Sequence, residues 1–123
     1  MTLSRIVMRL ARNPGTEFAE GDDRRGYTLV APLDTDGRLD QGAYAKVKDL
    51  CMVRRFAPDS DPAIGRLAHS GKLWFFDYDE SQSANDEPVF RLGEHRFVVG
   101  DYVTITDEDA RSLTYKVMEV SVI

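Results

Sequence analysis

The sequence is short of the residues from which disulfides and metal sites are built. Its 123 residues include one cysteine, Cys51, and only two histidines, His69 and His95. A lone cysteine excludes a disulfide within the chain, and none of these residues has the spacing of paired zinc ligands. We therefore expect Cys51 to be a buried, reduced thiol, with no metal, no cofactor and a cytoplasmic location.

Positive charge and long apolar runs are also scarce. The chain carries 21 acidic and 16 basic side chains, a net charge of −5, so its field repels phosphate backbones. The arginine pairs at 24–25 and 54–55 are too few for a nucleic-acid footprint. The apolar stretch 3–11 is interrupted by Arg5 and Arg9, unlike a secretory signal, and no segment approaches a spanning helix. We expect no nucleic-acid or membrane partner.

The chain is rich in short strand-forming runs separated by turn residues. Hydrophobic residues make up 42% and charged residues 30%, as in ordinary globular domains, and the length fits one domain over 1–123. The pattern predicts a mostly β fold, all-β or α+β, with seven to eight short strands and one short helix near 40–50. A small antiparallel barrel and a sandwich both fit this pattern.

Residues 4–12 allow two interpretations. Ile6, Met8 and Leu10 alternate as in a strand, but the arginines between them also line one face of a helix. An isolated helix of about nine residues is marginal in water. The turn signal at 13–15 and the strand-like run 27–33 favour a strand in a long hairpin.

The best helical segment follows a turn at 34–37. Asp40 can cap its first turn, and an apolar stripe at three-to-four spacing predicts that one face lies on the sheet. That stripe comprises Ala43, Tyr44, Val47, Leu50 and Cys51. After it, 52–56 reads as extended, and the two prolines of 57–62 are expected to break the chain.

The second half of the chain reads as successive hairpins. Ser70-Gly71 separates the strand-like runs 64–68 and 72–78, and the polar stretch 80–88 is expected to be a loop. Further strand-like runs are 90–92, 96–99, 102–106 and 113–122. The connection 107–112 is too short for a parallel crossover, so 102–106 and 113–117 should pair antiparallel.

No catalytic constellation emerges from the sequence. A nucleophilic Cys51 would need His69 or His95 within reach, which sequence distance alone does not decide. No serine elbow and no phosphate-binding glycine loop is present. With apolar neighbours on both sides, Cys51 is better interpreted as a core residue than as a nucleophile.

The aromatic run 74–78 is the strongest strand signal and offers the candidate binding residues. On a strand, Trp74, Phe76 and Tyr78 share one face, and Asp77 lies on the other. Either the aromatic face is core and Asp77 pairs with Arg54 or Arg55 at the rim, or the aromatics line a groove for a sugar or peptide. We predict that Trp74 is core. The residues of the groove alternative are Trp74, Asp77, Tyr78, Asp79, Arg54 and Arg55.

Three stretches carry a resemblance to known proteins. The sequences CMVRRF at 51–56, WFFDYD at 74–79 and GDYVTI at 100–105 together resemble a family of small bacterial proteins with no assigned activity. That resemblance implies one compact domain and transfers no ligand, cofactor or catalytic residue. The third stretch is also similar to the strand entry of SH3-like small barrels, although Gly-Asp before a strand is good turn chemistry in any β fold.

Two hypotheses for function follow. The first is a non-enzymatic β module that binds a protein partner or a second copy of itself, because exposed sheet edges are natural association surfaces. The alternative is a small-molecule binding or hydrolytic domain built on the six candidate residues. A pocket that joins those residues would favour the alternative, whereas a flat apolar patch or a paired edge would favour the first.

Overall fold

Eight strands and one short helix make up the regular structure of the computed structural model, which describes residues 2–70, 73–78, 87–89, 92, 95–106 and 111–123. The helix α1 is Gln41–Val47, and a 3₁₀ turn, Lys48–Leu50, continues it. The strands are β1 Thr2–Leu10, β2 Asp22–Leu33, β3 Met52–Ala57, β4 Ser60–Ser70, β5 Leu73–Asp77, β6 Glu87–Val89, β7 Tyr102–Thr106 and β8 Ser112–Val122.

The strands form a closed antiparallel barrel. Each strand pairs with the next along the chain, and β1 pairs with β8 to complete the ring. The predicted mostly β fold with one short helix is thus confirmed, and the barrel is realised rather than the sandwich. The predicted antiparallel ladder is also present, with Tyr102 opposite Lys116 and Thr106 opposite Ser112.

Residues 4–12 adopt the predicted strand as far as Leu10. Ile6, Met8 and Leu10 point into the barrel and are fully or almost fully buried. β1 pairs with β2 along its whole length, which supplies the backbone partners that a short isolated helix would lack. At Gly26 the two strands approach so closely that an added Cβ would lie 1.9 Å from the Met8 carbonyl oxygen. Only glycine fits there.

Side chains fill the barrel interior. The Tyr27 ring lies 5.2 Å from the Phe76 ring and 5.0 Å from the Tyr115 ring, so three aromatics meet between β2, β5 and β8. Trp74 is only 2% exposed. An eight-stranded barrel is about wide enough to be filled by its own side chains. Here the interior is the hydrophobic core, and Trp74 belongs to it as predicted.

Two loops contact each other at residues 36–38 and 96–97. The Phe97 N–H donates to the Gly37 carbonyl at 2.8 Å, and Arg96 Nε donates to the Asp36 carbonyl at 3.0 Å. Phe97 is thereby inserted into the core. The predicted strand at 96–99 is wrong: Arg96 forms one isolated bridge with Arg38, and the chain then turns at Val99 and Gly100. The apolar segment thus buries the Phe97 side chain in the core and does not form a strand ladder.

Two further predictions need correction. Leu50 was expected on the buried stripe of the helix but is 55% exposed, because the 3₁₀ turn rotates it away from the sheet while Cys51 is fully buried. The expected break over 57–62 shrinks to a tight turn, since β4 already begins at Ser60 and includes Pro62. Pro58 lies in this turn and Pro62 lies within β4, so the prolines do not separate the strands.

Some predictions fall outside the described residues, namely Asp79, most of the loop 80–88 and the first two residues of 90–92. The described part of 80–88 belongs to β6. Within the described part of the chain, no helix is long and apolar enough to cross a membrane.

Truncation of Trp74 to alanine should lower the free energy of unfolding by about 3 to 5 kcal/mol, because it removes a large side chain from a filled interior. Chemical denaturation measures this directly. The matched control is Leu73→Ala, since Leu73 neighbours Trp74 on the same strand but is 49% exposed. That variant should unfold close to the wild type. Equal, small losses from both variants would contradict the core assignment of Trp74.

Candidate functional site

A groove on the outside of the barrel brings together several of the chemically useful side chains. It lies between α1 with its 3₁₀ turn and the outer face of β3, β4 and β5, and has a volume of about 720 Å³. We call it the α1 groove. Its walls include Tyr44, Lys48, Asp49, Ile64, Arg66 and Asp77.

The helix wall is fixed by one capping bond and one tether. The Asp40 carboxylate accepts from the Ala43 N–H at 3.0 Å and so begins the helix. One turn later the Tyr44 hydroxyl donates to the Leu67 carbonyl of β4 at 2.7 Å. The Tyr44 ring also meets the Trp74 ring edge-on at 4.8 Å. Partial burial raises the pKa of Tyr44, which keeps its hydroxyl a neutral donor.

The strand wall depends on a close approach at Gly65. A Cβ at this position would lie 2.5 Å from the Asp77 carbonyl oxygen and 2.8 Å from Cδ1 of Tyr78. The missing side chain therefore lets the end of β5 lie directly against β4. Asp77 and Tyr78 are brought to the groove in this way.

Charges of both signs alternate across the groove. On the outer face of the sheet, Met52 of β3 pairs in register with Arg66 of β4, and Arg66 pairs with Asp77 of β5. The Nη1 atom of Arg66 also lies 4.0 Å from the Oδ1 atom of Asp49, on the helix side of the groove. Both residues of that pair are more than half exposed, so this contact adds little to stability.

Asp77 has unused hydrogen-bonding capacity. Its Oδ1 atom is shielded from solvent and accepts no hydrogen bond. A buried acceptor without a donor costs about 1 to 3 kcal/mol. A donor brought to this carboxylate from outside would recover part of that cost.

The six sequence-predicted binding residues are divided by the fold. Asp77 and Tyr78 line the α1 groove, whereas Trp74 is in the core behind it. The Arg55 guanidinium stacks over the Tyr78 ring at 4.8 Å. Arg54 is exposed on the outer face of β3, the face of the groove, where it pairs in register with Ile64 of β4.

The rim arginine opposite Asp77 was also misassigned in the sequence analysis. Arg66, rather than Arg54 or Arg55, is its cross-strand neighbour. Asp79 lies outside the described residues.

Sequence reasoning missed Tyr44, Lys48 and Arg66 as groove residues. Tyr44 was assigned to the buried stripe of the helix, and it is in fact half-buried, with one side toward Trp74 and one toward the groove. The available signal for Arg66 was the glycine before it, because a glycine inside a strand often marks a close approach of backbone.

The candidate nucleophile, Cys51, is poorly placed to react. Cys51 is fully buried, its Sγ contacts the Val47 carbonyl at 3.5 Å, and burial raises its pKa to about 11. At neutral pH the reactive thiolate is therefore scarce. His69 stacks on Trp74 at 4.2 Å. The described residues hold no group of three or more metal-ligating side chains.

The chain was compared with protein families, curated proteins and solved structures. No family model, no curated protein and no solved structure matches the chain.

Cys51 should resist a disulfide-exchange reagent in the native protein and react fully once guanidinium has unfolded it. The reason is that both burial and the raised pKa suppress the attacking thiolate. Absorbance of the released thiol measures the rate. Rapid stoichiometric reaction before unfolding would contradict the buried position and make Cys51 a candidate nucleophile again.

Proposed function

We propose that this chain is a non-enzymatic binding module and that it holds a segment of a protein partner in the α1 groove. The filled interior supports an external site, because the aromatic cluster of Tyr27, Phe76 and Tyr115 occupies the space that a ligand would need inside the barrel. The scarcity of thiolate at Cys51 supports binding rather than nucleophilic catalysis.

The composition of the groove supports a protein segment as the ligand. Ile64 on the groove wall is 54% exposed, and an exposed large apolar side chain on a concave surface is typical of interaction sites. Basic and acidic groups alternate beside it, as on the polar rim of a protein interface. A peptide offers both apolar side chains and backbone donors.

The single observation that carries the proposal is the unpartnered Oδ1 atom of Asp77. This atom accepts no hydrogen bond although Asp77 lines an open groove. A backbone N–H or a basic side chain of a bound segment would supply the donor, after a small rotation of the carboxylate. In the free protein, the Oδ1 atom of Asp77 is shielded from water without a donor, which costs free energy. A bound segment that supplies the donor would recover part of this cost, and that recovery would contribute to the free energy of binding.

Closure of the barrel makes pairing of sheet edges a weaker basis for association. Each described strand has a neighbour on both sides in the strand order, including β1 and β8 at the seam. The groove then offers a better surface than an edge, and its partner is a different chain rather than a second copy.

The test is selection of binders from a random peptide library displayed on phage, with the wild-type protein as bait. We expect enrichment of peptides that combine apolar residues with a basic or amide donor. Their binding should weaken by about tenfold in Asp77→Ala, since one hydrogen bond to a charged group is lost. Emission of Trp74 reports occupancy, because its ring contacts Tyr44 on the groove wall.

A matched pair of surface variants locates the site. Ile64→Asp places a charge in the α1 groove and should abolish binding, whereas Val99→Asp places one at a still more exposed apolar residue outside it and should not. Asp77→Ala should not lower the melting temperature, because it removes a costly buried acceptor. Enriched peptides that bind Ile64→Asp as well as wild type, or no enrichment, would overturn the proposal.

A further inference from the structure

A second groove lies on the far side of the barrel from the α1 groove. It runs over the outer face of β1, β8 and β7 and has a volume of about 540 Å³. We call it the basic groove. Its lining includes three cations, Arg9, Arg12 and Lys116, and two apolar side chains, Tyr102 and Met118.

The register of the strands places the central residues of the basic groove in one row. Arg9 of β1 lies opposite Lys116 of β8, and Lys116 lies opposite Tyr102 of β7. Their side chains share the outer face, because the residues between them point into the core. Like charges directly opposite each other on neighbouring strands are destabilising. In this structure the Arg9 guanidinium leans away from Lys116, toward β2 and β3, and lies 5.6 Å from the centre of the Phe56 ring.

Within the described residues, no carboxylate forms an ion pair with these cations. The Arg9 guanidinium donates at 2.6 Å to the backbone carbonyl of Asp23, which is uncharged. Arg12 and Lys116 take part in none of the ion pairs found among the described residues. The Glu20 and Asp23 side chains also line the groove without pairing with its cations, which leaves an excess of positive charge in a protein of net charge −5.

Beside the cations lie two apolar surfaces that the fold leaves uncovered. Tyr102 is 54% exposed and Met118 is 43% exposed. Tyrosine rings and methionine sulfur both make favourable contacts with flat aromatic groups. The basic groove thus offers an anion site next to an aromatic contact surface.

We propose that the basic groove binds a small anion that carries a flat apolar ring, with the anionic group between Arg9 and Lys116 and the ring against Tyr102. The volume lies in the range of small-molecule sites. An anion there would meet cations that form no ion pair within the described residues, and a ligand that binds only the folded state would stabilise the barrel. This site is independent of the α1 groove and of the function proposed for it.

The test is NMR titration with four probes, namely benzoate, phenyl phosphate, benzamide and acetate. Benzoate and phenyl phosphate should shift the backbone amides of residues 9, 102 and 116, with millimolar affinity, as expected for partly exposed charges. Benzamide has the ring without the charge, and acetate has the charge without the ring. Both should bind at least about fivefold more weakly.

Two variants and a control separate binding from stability. Lys116→Gln should weaken benzoate binding by about tenfold while it leaves the melting temperature unchanged, because Lys116 forms no ion pair within the described residues. Tyr102→Ala should bring benzoate down to the affinity of acetate. Lys46→Gln removes an exposed lysine of α1, outside this groove, and should change neither quantity.

The titration has clear contrary outcomes. If benzamide bound as tightly as benzoate, or if benzoate shifted no amide of the row, the anion site would be refuted. A fall in the melting temperature of Lys116→Gln with unchanged benzoate affinity would also overturn the proposal, since Lys116 would then be structural. Benzoate should compete with phenyl phosphate for one site, and raised salt should weaken both.

Discussion

The pairing of β1 with β8 is the constraint on which the rest of this structure depends. It joins the two ends of the described chain and converts a meander of hairpins into a ring. Backbone hydrogen bonds hold this seam, and the Asn13 side chain extends it past β1. Its Oδ1 accepts from the Thr114 N–H at 2.9 Å, and its Nδ2 donates to the Thr114 carbonyl at 3.1 Å. The exposed Arg5–Glu119 ion pair across the seam adds little.

Closure determines where binding can occur. With eight strands the ring has room for its own side chains, and the aromatic residues of β2, β5 and β8 fill it. The two binding functions proposed here would then depend on the side chains of the outer wall. The tether from Tyr44 to β4 places a helix there and creates one concavity, and the register of β1, β8 and β7 creates the charged row of the other.

The local elements were predictable because each is encoded by neighbouring residues. Alternation specified β1, the aromatic run specified β5, and the Asp40 cap with its apolar stripe specified α1. The strand predicted at 96–99 was wrong because alternation reports only that apolar residues are buried. Here Phe97 is buried because its N–H is bonded to the Gly37 carbonyl, and the segment has no partner strand.

Most of the candidate site was beyond sequence reasoning for a different reason. Asp77 and Tyr78 were identified because they lie in a recognisable run, but the arginine opposite Asp77 depends on the register between β4 and β5. Shifting that register by one residue would turn every side chain of the strand to the other face. That Arg66 is the neighbour of Asp77 therefore follows from the assembled sheet and not from the local sequence. The same holds for the row of Arg9, Lys116 and Tyr102.

The two grooves should act independently. β4 and β8 are separated by half of the ring, and the packed aromatic core lies between them. Coupling between distant sites needs an element with two discrete arrangements that both ligands bias. The elements that the structure describes here are ladders of a closed barrel, which resist such rearrangement. If both grooves bind, their binding energies would therefore add, and the barrel would act as a rigid spacer between a protein segment on one wall and an aromatic anion on the other.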